Sequence, residues 1–165
     1  MNLYNALRQA LPAYEIIPLT EDNFVNFREV FDTNYDFLVE GYGKLIDEKG
    51  IFGAVAQLVD GLNPADKYLA AICQDGVAVA AVDLLANLPA KGQLYLSFLL
   101  VHNGFKGKGI GAAVADGIVA AAKMSGFTKI NLGSFEDTAE FWRKQGFTQT
   151  ESDDNGFLAF YKELA

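Results

Sequence analysis

A glycine-rich turn between an apolar run and an alanine-rich run constrains the fold more than any other feature of this sequence. The apolar run QLYLSFLLV covers residues 93–101, and HNGFKGKGIGAA follows over residues 102–113. An unbroken apolar run bounded by turn residues predicts a buried strand, and the alanines favour a helix. The segment therefore predicts a strand, a glycine turn and a helix N-terminus in immediate succession.

The predicted turn has the features of an anion site. Glycine lets backbone N–H groups approach a ligand closely, and the dipole of the following helix favours negative charge at its N-terminus. Lys106 and Lys108 add two positive charges in a chain of net charge -8. These features favour a phosphate-bearing ligand over the alternative that the glycines only let the helix pack closely on the sheet.

The sequence before the turn predicts an antiparallel meander. The runs KYLAAIC and VAVAAVDLL flank residues 74–76, where Asp-Gly between two apolar runs indicates a β-hairpin. Residues 93–101 supply the third strand. Further upstream, residues 14–20 predict a first strand, and Thr20 is placed to cap a helix that carries three phenylalanines on one face, namely Phe24, Phe27 and Phe31. For residues 33–63 the sequence pattern predicts only short helical segments.

The sequence after the turn predicts a parallel crossover and a closing pair of strands. A helix from about residue 109 to residue 124, ended by Gly126, leads to a strand at residues 128–134. Asp137 is placed to cap a short helix ended by Gly146, and the charged run ESDDN predicts a hairpin loop between the last two strands. No repeat or linker interrupts the chain, so we expect residues 1–165 to form one α+β domain. Its core would be a mixed, mostly antiparallel sheet of about six or seven strands flanked by helices, with a βαβ cofactor-binding unit.

Composition and charge exclude several classes of protein. Cys73 and His102 are the only cysteine and histidine, which argues against a disulfide framework, a zinc cluster or any other metal site, and a histidine-based triad. We interpret Cys73 as a buried apolar residue and His102 as a turn residue. The net charge of -8 disfavours nucleic acid as a partner. The sequence shows neither a signal peptide nor a membrane span, so we expect a cytoplasmic protein without a membrane partner.

Two nucleotide-binding motifs compete for the glycine turn. Gly107, Gly109 and Ala112 fit the dinucleotide pattern G-x-G-x-x-A, with Glu136 at a tolerable distance for a ribose contact. That pattern belongs in an early βαβ unit, whereas three antiparallel strands precede this turn. The sequence does not match the P-loop motif, because Ile110 and Gly111 occupy the positions where that motif requires Lys-Ser or Lys-Thr.

The turn instead resembles the coenzyme A signature of the GNAT superfamily of N-acetyltransferases. That signature is Arg or Gln, two variable residues, Gly, one variable residue, then Gly or Ala, just after a strand that ends in Val. Residues 106–111 follow Val101 at this spacing, with Lys106 in place of Arg or Gln. FWRKQGF at residues 141–147 also resembles a later family segment, and the likeness spans about residues 67–162.

The resemblance implies the GNAT (acyl-CoA N-acyltransferase) fold, acetyl-CoA as cofactor and a set of cofactor-binding residues. The turn would hold the pyrophosphate, and the strand before it would pair with the pantetheine arm in a slot opened by its divergence from the next strand. The residues implied are Leu99, Leu100, Val101, Lys106, Gly107, Lys108, Gly109, Ile110, Gly111, Ser134 and Trp142.

The resemblance implies the catalytic residues less completely than it implies the cofactor-binding residues. The N–H of Val101 would polarise the thioester carbonyl, and Asp83 or Ser97, on strands near the slot, would receive the amine's proton. Trp142 stands where the family often has a tyrosine acid, and indole is not a useful acid. Tyr95 and Tyr161 are candidate replacements, and a thiolate can also leave with little help.

The acceptor is expected to be a small primary amine. Four residues of the variable segment would bind it, namely Tyr35, Asp36, Glu40 and Tyr42, with Asp47 as a further acid at the mouth. Carboxylates attract an ammonium group, and aromatic rings can pack against it. A CoA-binding sensor or interaction module of the same fold is the alternative function, and the chain could act as a monomer or as a homodimer.

Overall fold

The computed structural model describes residues 2–152 and 156–164. Seven strands form one sheet: β1 (Glu15–Pro18), β2 (Lys67–Gln74), β3 (Val77–Ala86), β4 (Gln93–Val101), β5 (Lys129–Phe135), β6 (Thr148–Ser152) and β7 (Phe157–Glu163). Six helices flank it: α1 (Leu3–Ala10), α2 (Arg28–Asp32), α3 (Tyr35–Tyr42), α4 (Lys44–Ala56, with a non-helical break at Gly50), α5 (Ile110–Met124) and α6 (Glu136–Lys144). No helix of these residues is long and apolar enough to cross a membrane.

The sheet is mixed and mostly antiparallel, as the sequence predicts. Its strand order is β1-β2-β3-β4-β5-β7-β6, and β4 with β5 is the parallel pair that α5 connects. The β2–β3 hairpin turns at Asp75 and Gly76, whose φ angles of 53° and 79° are both positive. Asp-Gly suits such a turn because glycine adopts positive φ without strain and aspartate tolerates it. The predicted hairpin is therefore confirmed.

The sheet separates two hydrophobic cores. One core packs α1, α5 and α6 on one face, and the other packs α2, α3 and α4 on the opposite face. Side chains alternate between the faces, so Val82 and Leu84 join the first core while Ala81 joins the second. Both faces of β3 are covered, which explains its nearly continuous apolar sequence.

Helix α1, which the sequence analysis did not predict, packs tightly on α5. A Cβ added at Gly117 would overlap the side chain of Leu11. Glycine at this position therefore allows the end of α1 to approach α5, and the contact fixes the helix that follows the glycine turn.

Two predicted elements are corrected. The helix expected after Thr20 is broken into a 3-10 turn at Phe24–Asn26 and the short α2, because Phe27 has a non-helical φ of -126°. Phe24 and Phe31 still pack together, with ring centroids 5.0 Å apart. Helix α6 begins at Glu136, which places Asp137 in its first turn rather than at its cap. Most of the predicted ESDDN loop lies outside the described residues.

Candidate active site

A bulge in β4 opens a slot in the sheet. Asp83 pairs with Phe98 but the next residue of β3 pairs with Leu96, so Ser97 is the extra residue on β4. The parallel pairs of β4 with β5 run from Gln93↔Lys129 to Leu96↔Leu132 and end there within the described chain. The last five residues of β4 therefore diverge from β5, as the sequence analysis predicts.

Alternate backbone groups of β4 point into this slot. His102 N donates to Val79 O at 2.9 Å, which makes Ala80 and Val101 a non-hydrogen-bonded pair. In an antiparallel ladder the residues of such pairs direct their N–H and C=O groups away from the partner strand. The N–H groups of Leu99 and Val101 therefore face the slot, whereas the polar backbone groups of Leu100 face β3.

The slot is part of a cleft of about 620 Å³. Its floor is formed by residues 96–101 of β4 and by the end of β5, including Ser134, and its walls include Phe105, Phe141 and Trp142. At one end it reaches the glycine turn and the first residues of α5. A long ligand can therefore run from the middle of the sheet to a helix N-terminus.

The glycine turn presents unpaired backbone donors at that end. Gly107 and Gly109 have φ angles of 79° and 81°, and Gly109 caps α5 without a side-chain hydrogen bond. The N–H groups of Ile110, Gly111 and Ala112 have no acceptor within the helix, because a helix satisfies only the donors after its first turn. These donors and the helix dipole are the features that an anion would need at this end of the cleft.

The two lysines of the turn are placed differently. Lys106 lines the cleft, and its Nζ donates to Asn34 Oδ1 at 3.3 Å. The ammonium of Lys108 lies 5.3 Å from the ring centroid of Phe105, and the side chain is not in the cleft lining. Of the two lysines in this turn, Lys106 is thus the one that lines the cleft.

Two further residues implied by the resemblance, Trp142 and Ser134, line the cleft. Trp142 is 8% exposed and makes edge contacts with Phe141 and Phe147, at centroid distances of 4.8 and 5.4 Å. Ser134 Oγ lies 2.9 Å from Phe135 O and 2.6 Å from Thr138 Oγ1, so these two contacts hold its hydroxyl at the end of β5.

A buried ion pair lies beside the bulge. Lys67 Nζ contacts both carboxylate oxygens of Asp83, at 2.9 and 2.8 Å. Burial raises the pKa of Asp83, while the charge of Lys67 and hydrogen bonds from Lys67 and Ser97 oppose the rise. Asp83 is not in the cleft lining, but Ser97 is, so Ser97 connects the carboxylate to the cleft.

Tyr42 joins the same polar group from α3. Burial raises the pKa of Tyr42 to about 12, with Asp83 adding to the rise and a hydrogen bond with Ser97 opposing it. A phenol with this pKa stays protonated at neutral pH and can act as a hydrogen-bond donor. Tyr42, Ser97, Asp83 and Lys67 thus form one polar cluster, called here the bulge cluster.

The other predicted acceptor residues are not gathered in one pocket. Tyr35 and Asp36 line a shallower pocket of about 300 Å³ that shares Asn34, Phe37 and Lys106 with the cleft. Glu40 is exposed on α3, and Asp47 is exposed in the first turn of α4. Neither side chain lines either pocket.

The remaining candidates lie away from the cleft lining. Burial raises the pKa of Tyr95, and the ring of Tyr161 lies under Lys129 Nζ at 4.7 Å from its centroid. His102 Nδ1 accepts a hydrogen bond from Gly104 N at 2.9 Å, which is a turn contact, and Cys73 is buried and free.

Several residues of the site were not found from the sequence, among them Asn34, Phe141 and Lys67. Asn34 and Phe141 line the cleft, and Lys67 pairs with Asp83. Phe141 lies in the FWRKQGF segment, which could have indicated it. Lys67 and Asn34 carry no such signal, because each acquires its role through contacts with residues distant in the chain.

Comparisons with known proteins agree with this geometry. The resemblance seen in the sequence implies such a sheet slot leading to a helix N-terminus, and the structure contains both. The sequence model described as Acetyltransferase (GNAT) family matches residues 21–147. The chain belongs to this family, and it is therefore an acyltransferase of a family whose usual acyl donor is acetyl-CoA.

Solved structures share the fold. An acetyltransferase from Thermus thermophilus has a TM-score of 0.72 at 17% identity, covering 92% of this chain and 97% of the other. The PaiA N-acetyltransferase of Thermoplasma acidophilum, solved in complex with coenzyme A, has a TM-score of 0.66 at 17% identity, covering 91% and 98%. A GNAT acetyltransferase of Staphylococcus aureus has a TM-score of 0.63 at 15% identity, covering 93% and 100%. At these identities the likeness establishes the fold.

Proposed function

We propose that this enzyme transfers the acetyl group of acetyl-CoA to the primary amine of a small metabolite in the cytoplasm. The observation that carries the proposal is the continuity of one cleft, from the bulge cluster, along the inward N–H groups of β4, to the donors of the glycine turn. A CoA thioester needs both an extended apolar slot and an anion site, and an amine acceptor needs a route for its proton.

The donor groups of the cleft fit the parts of CoA. The N–H groups at the start of α5 and the ammonium of Lys106 suit a pyrophosphate, and the exposed Lys108 adds positive charge near it. The slot-facing edge of β4 suits the pantetheine arm, which can pair with it as an added strand would. Acetyl-CoA would supply a thioester whose carbonyl carbon accepts the amine.

The strand edge also supplies the proposed oxyanion donor. The N–H of Val101 points into the cleft, where it can donate to a carbonyl oxygen that gains negative charge. Leu99 presents a second donor of the same orientation, one step nearer the bulge. A backbone donor on a paired strand is fixed in place, so it loses little freedom when it binds the reacting oxygen.

The bulge cluster supplies the proposed proton acceptor. Ser97 lines the cleft and also hydrogen-bonds with Asp83, so a proton from the amine can pass through the Ser97 hydroxyl or a water to the carboxylate. A pKa raised by burial makes Asp83 a stronger base than an exposed aspartate. Lys67 holds the carboxylate in one orientation through two contacts.

Departure of the thiolate needs no acid in this proposal. Trp142 cannot donate a useful proton, and its ring packs between two other aromatic rings. A thiol has a reference pKa of about 8.5, so a thiolate is a competent leaving group near neutral pH. Positioning of the two substrates would then supply much of the rate.

The charge of the acceptor side supports a cationic substrate. Asp36 and Glu40 are exposed on α3, Tyr35 is 43% exposed beside them, and the chain has a net charge of -8. An ammonium group is attracted by such a surface before it loses its proton.

The test is an acceptor screen that measures release of the CoA thiol from acetyl-CoA. Small primary amines should support release, with a rate that rises as pH approaches the amine's pKa and a KM that worsens with added salt. Neutral variants at Asp36, Glu40 and Asp47 together should raise the amine KM while leaving the acetyl-CoA KM unchanged.

Two outcomes would refute the proposal. Turnover only with hydroxyl or anionic acceptors would exclude an amine substrate. CoA binding without thiol release from any acceptor would favour a sensor or interaction module, for which Trp142 in the position of the family tyrosine is the supporting observation.

A further inference from the structure

The segment between α2 and α3 is tied to the cofactor side of the cleft by four hydrogen bonds. Asn34 Nδ2 donates to Val101 O at 2.9 Å, and Lys106 Nζ donates to Asn34 Oδ1 at 3.3 Å. Asn103 N donates to Thr33 Oγ1 at 3.2 Å, and Asn103 Nδ2 donates to Thr33 O at 2.8 Å. Two adjacent residues thus contact the end of β4 and the turn, about 70 positions away.

The side chain of Asn34 is fixed in one orientation by these contacts. Its second amide hydrogen donates to Val30 O, at 2.7 Å. A rotated amide would place its NH₂ group against the Lys106 ammonium and its oxygen against two carbonyl oxygens, which is repulsive on both sides. Because a carboxamide is both donor and acceptor, asparagine satisfies all three partners at once.

Asn34 leaves Lys106 free to bind a ligand. An ammonium group has three N–H donors, and the contact with Asn34 Oδ1 uses one of them. The other two can donate to a phosphate while the asparagine holds the ammonium at the cleft, which Asn34 and Lys106 both line.

We propose that Asn34 is a positioning residue that couples the cofactor turn to the acceptor-side helices α2 and α3. It holds the Lys106 ammonium toward the phosphate site and holds the end of β4 through Val101 O. A ligand that orders Lys106 therefore also orders the segment that carries Tyr35 and Asp36. This inference rests on the proposed function, because it assumes that the phosphates of CoA contact the turn.

The first test measures amide hydrogen exchange in the free enzyme. Asn34→Ala should speed exchange across residues 101–107, because Val101 O and Lys106 Nζ lose their hydrogen bonds with the Asn34 side chain. Asn23→Ala is the matched control, since Asn23 also uses both ends of its amide, accepting from Thr20 N at 2.8 Å and donating to Pro18 O at 3.0 Å, away from the cleft. Unchanged exchange at residues 101–107 in Asn34→Ala, or equal change in the control, would overturn the inference.

The second test measures CoA affinity in a double-mutant cycle. Asn34→Ala should weaken CoA binding about five- to tenfold, the size of one lost hydrogen bond of good geometry. In a Lys106→Ala background the same change should have a smaller effect, since Asn34 acts partly through that ammonium. Full additivity of the two effects would contradict positioning through Lys106.

The third test measures the coupling itself. CoA added to the wild-type enzyme should slow exchange across residues 28–42, and Asn34→Ala should abolish that protection at CoA concentrations that saturate the variant. Protection that persists in Asn34→Ala would overturn the coupling. Failure of the wild-type enzyme to bind CoA would refute the proposed function instead, and the exchange test on the free enzyme would still decide whether Asn34 holds the turn.

Discussion

Lys67 Nζ lies 2.9 and 2.8 Å from the two carboxylate oxygens of Asp83, and the side chains are only 10% and 2% exposed. The two residues occupy neighbouring strands, where Asp83 is directly opposite Leu69 and Lys67 is two residues further along. Removal of either partner leaves a buried charge without its counterion, which is far more costly than loss of a surface ion pair.

Lys67→Met should destabilise the enzyme by about 3–5 kcal/mol at neutral pH, the usual cost of breaking a buried pair. This loss in the free energy of unfolding should become smaller as the pH falls. Without Lys67 the pKa of Asp83 in the folded state rises further above its value in the unfolded state. The variant therefore keeps its stability at a pH below the unfolded-state pKa and loses stability as the pH rises through the folded-state pKa. Denaturant unfolding at several pH values measures this, and a loss independent of pH would contradict it.

Ser97→Ala should lower kcat by about tenfold or more, because the proposed proton path from the cleft to Asp83 runs through its hydroxyl. The KM for acetyl-CoA should stay close to the wild-type value. Ser125→Ala is the control, since Ser125 Oγ is buried with no hydrogen-bond partner in residues 2–152 and 156–164. Equal activity of the two variants would show that the proton does not pass through Ser97.

Tyr42 should titrate well above the ordinary pKa of a tyrosine. Because burial raises its pKa from 10.0 to about 12, the folded state holds this proton more tightly than the unfolded state. Its contribution to stability is thus present below pH 10 and is lost as pH rises toward 12. Tyr42→Phe should remove a group that titrates near pH 12 from the ultraviolet titration of tyrosinate, and an unchanged titration near that pH in the variant would contradict the assignment.

Trp142→Phe should keep the alkaline limb of the pH–rate profile and lose less than about tenfold in kcat, since we propose that the residue packs beside the cofactor and transfers no proton. Trp142→Tyr should also be tolerated. The partly lost contacts with Phe141 and Phe147 should instead appear as a lower midpoint of thermal unfolding. A fall of about two decades or more in kcat for Trp142→Phe would show that the residue takes part in proton transfer.

Local sequence patterns predicted the part of the fold that holds the cofactor. The β2–β3 hairpin, β4, the glycine turn and α5 each carry their own signal in apolar runs, Asp-Gly or alanines, and the fold follows from their order. The break at Phe27 and the presence of α1 depend on packing between distant segments, such as Leu11 on Gly117, so local patterns did not reveal them.

The candidate site divides in the same way. The turn residues could be named in advance because a phosphate site needs glycines and a helix N-terminus, which are contiguous in the chain. Asp83 is an acid within the apolar run VAVAAVDLL, which a local pattern can show, but its partner Lys67 becomes its neighbour only through strand register. The role of Asn34 depends on contacts with residues about 70 positions away in the chain, and no local sequence pattern encodes such contacts.

The central claim is that the cleft between β4 and β5 binds CoA through the turn at the start of α5, and calorimetric titration with CoA tests it most directly. Gly109→Glu and Gly126→Glu are a matched pair at opposite ends of α5, because the two glycines have φ angles of 81° and 83° and open space where a side chain would be added. Both variants carry the same backbone strain and the same added charge. We expect wild-type enzyme and Gly126→Glu to bind CoA with similar affinity and Gly109→Glu to show no measurable binding. Equal affinity of the two variants, each folded by circular dichroism, would contradict the claim.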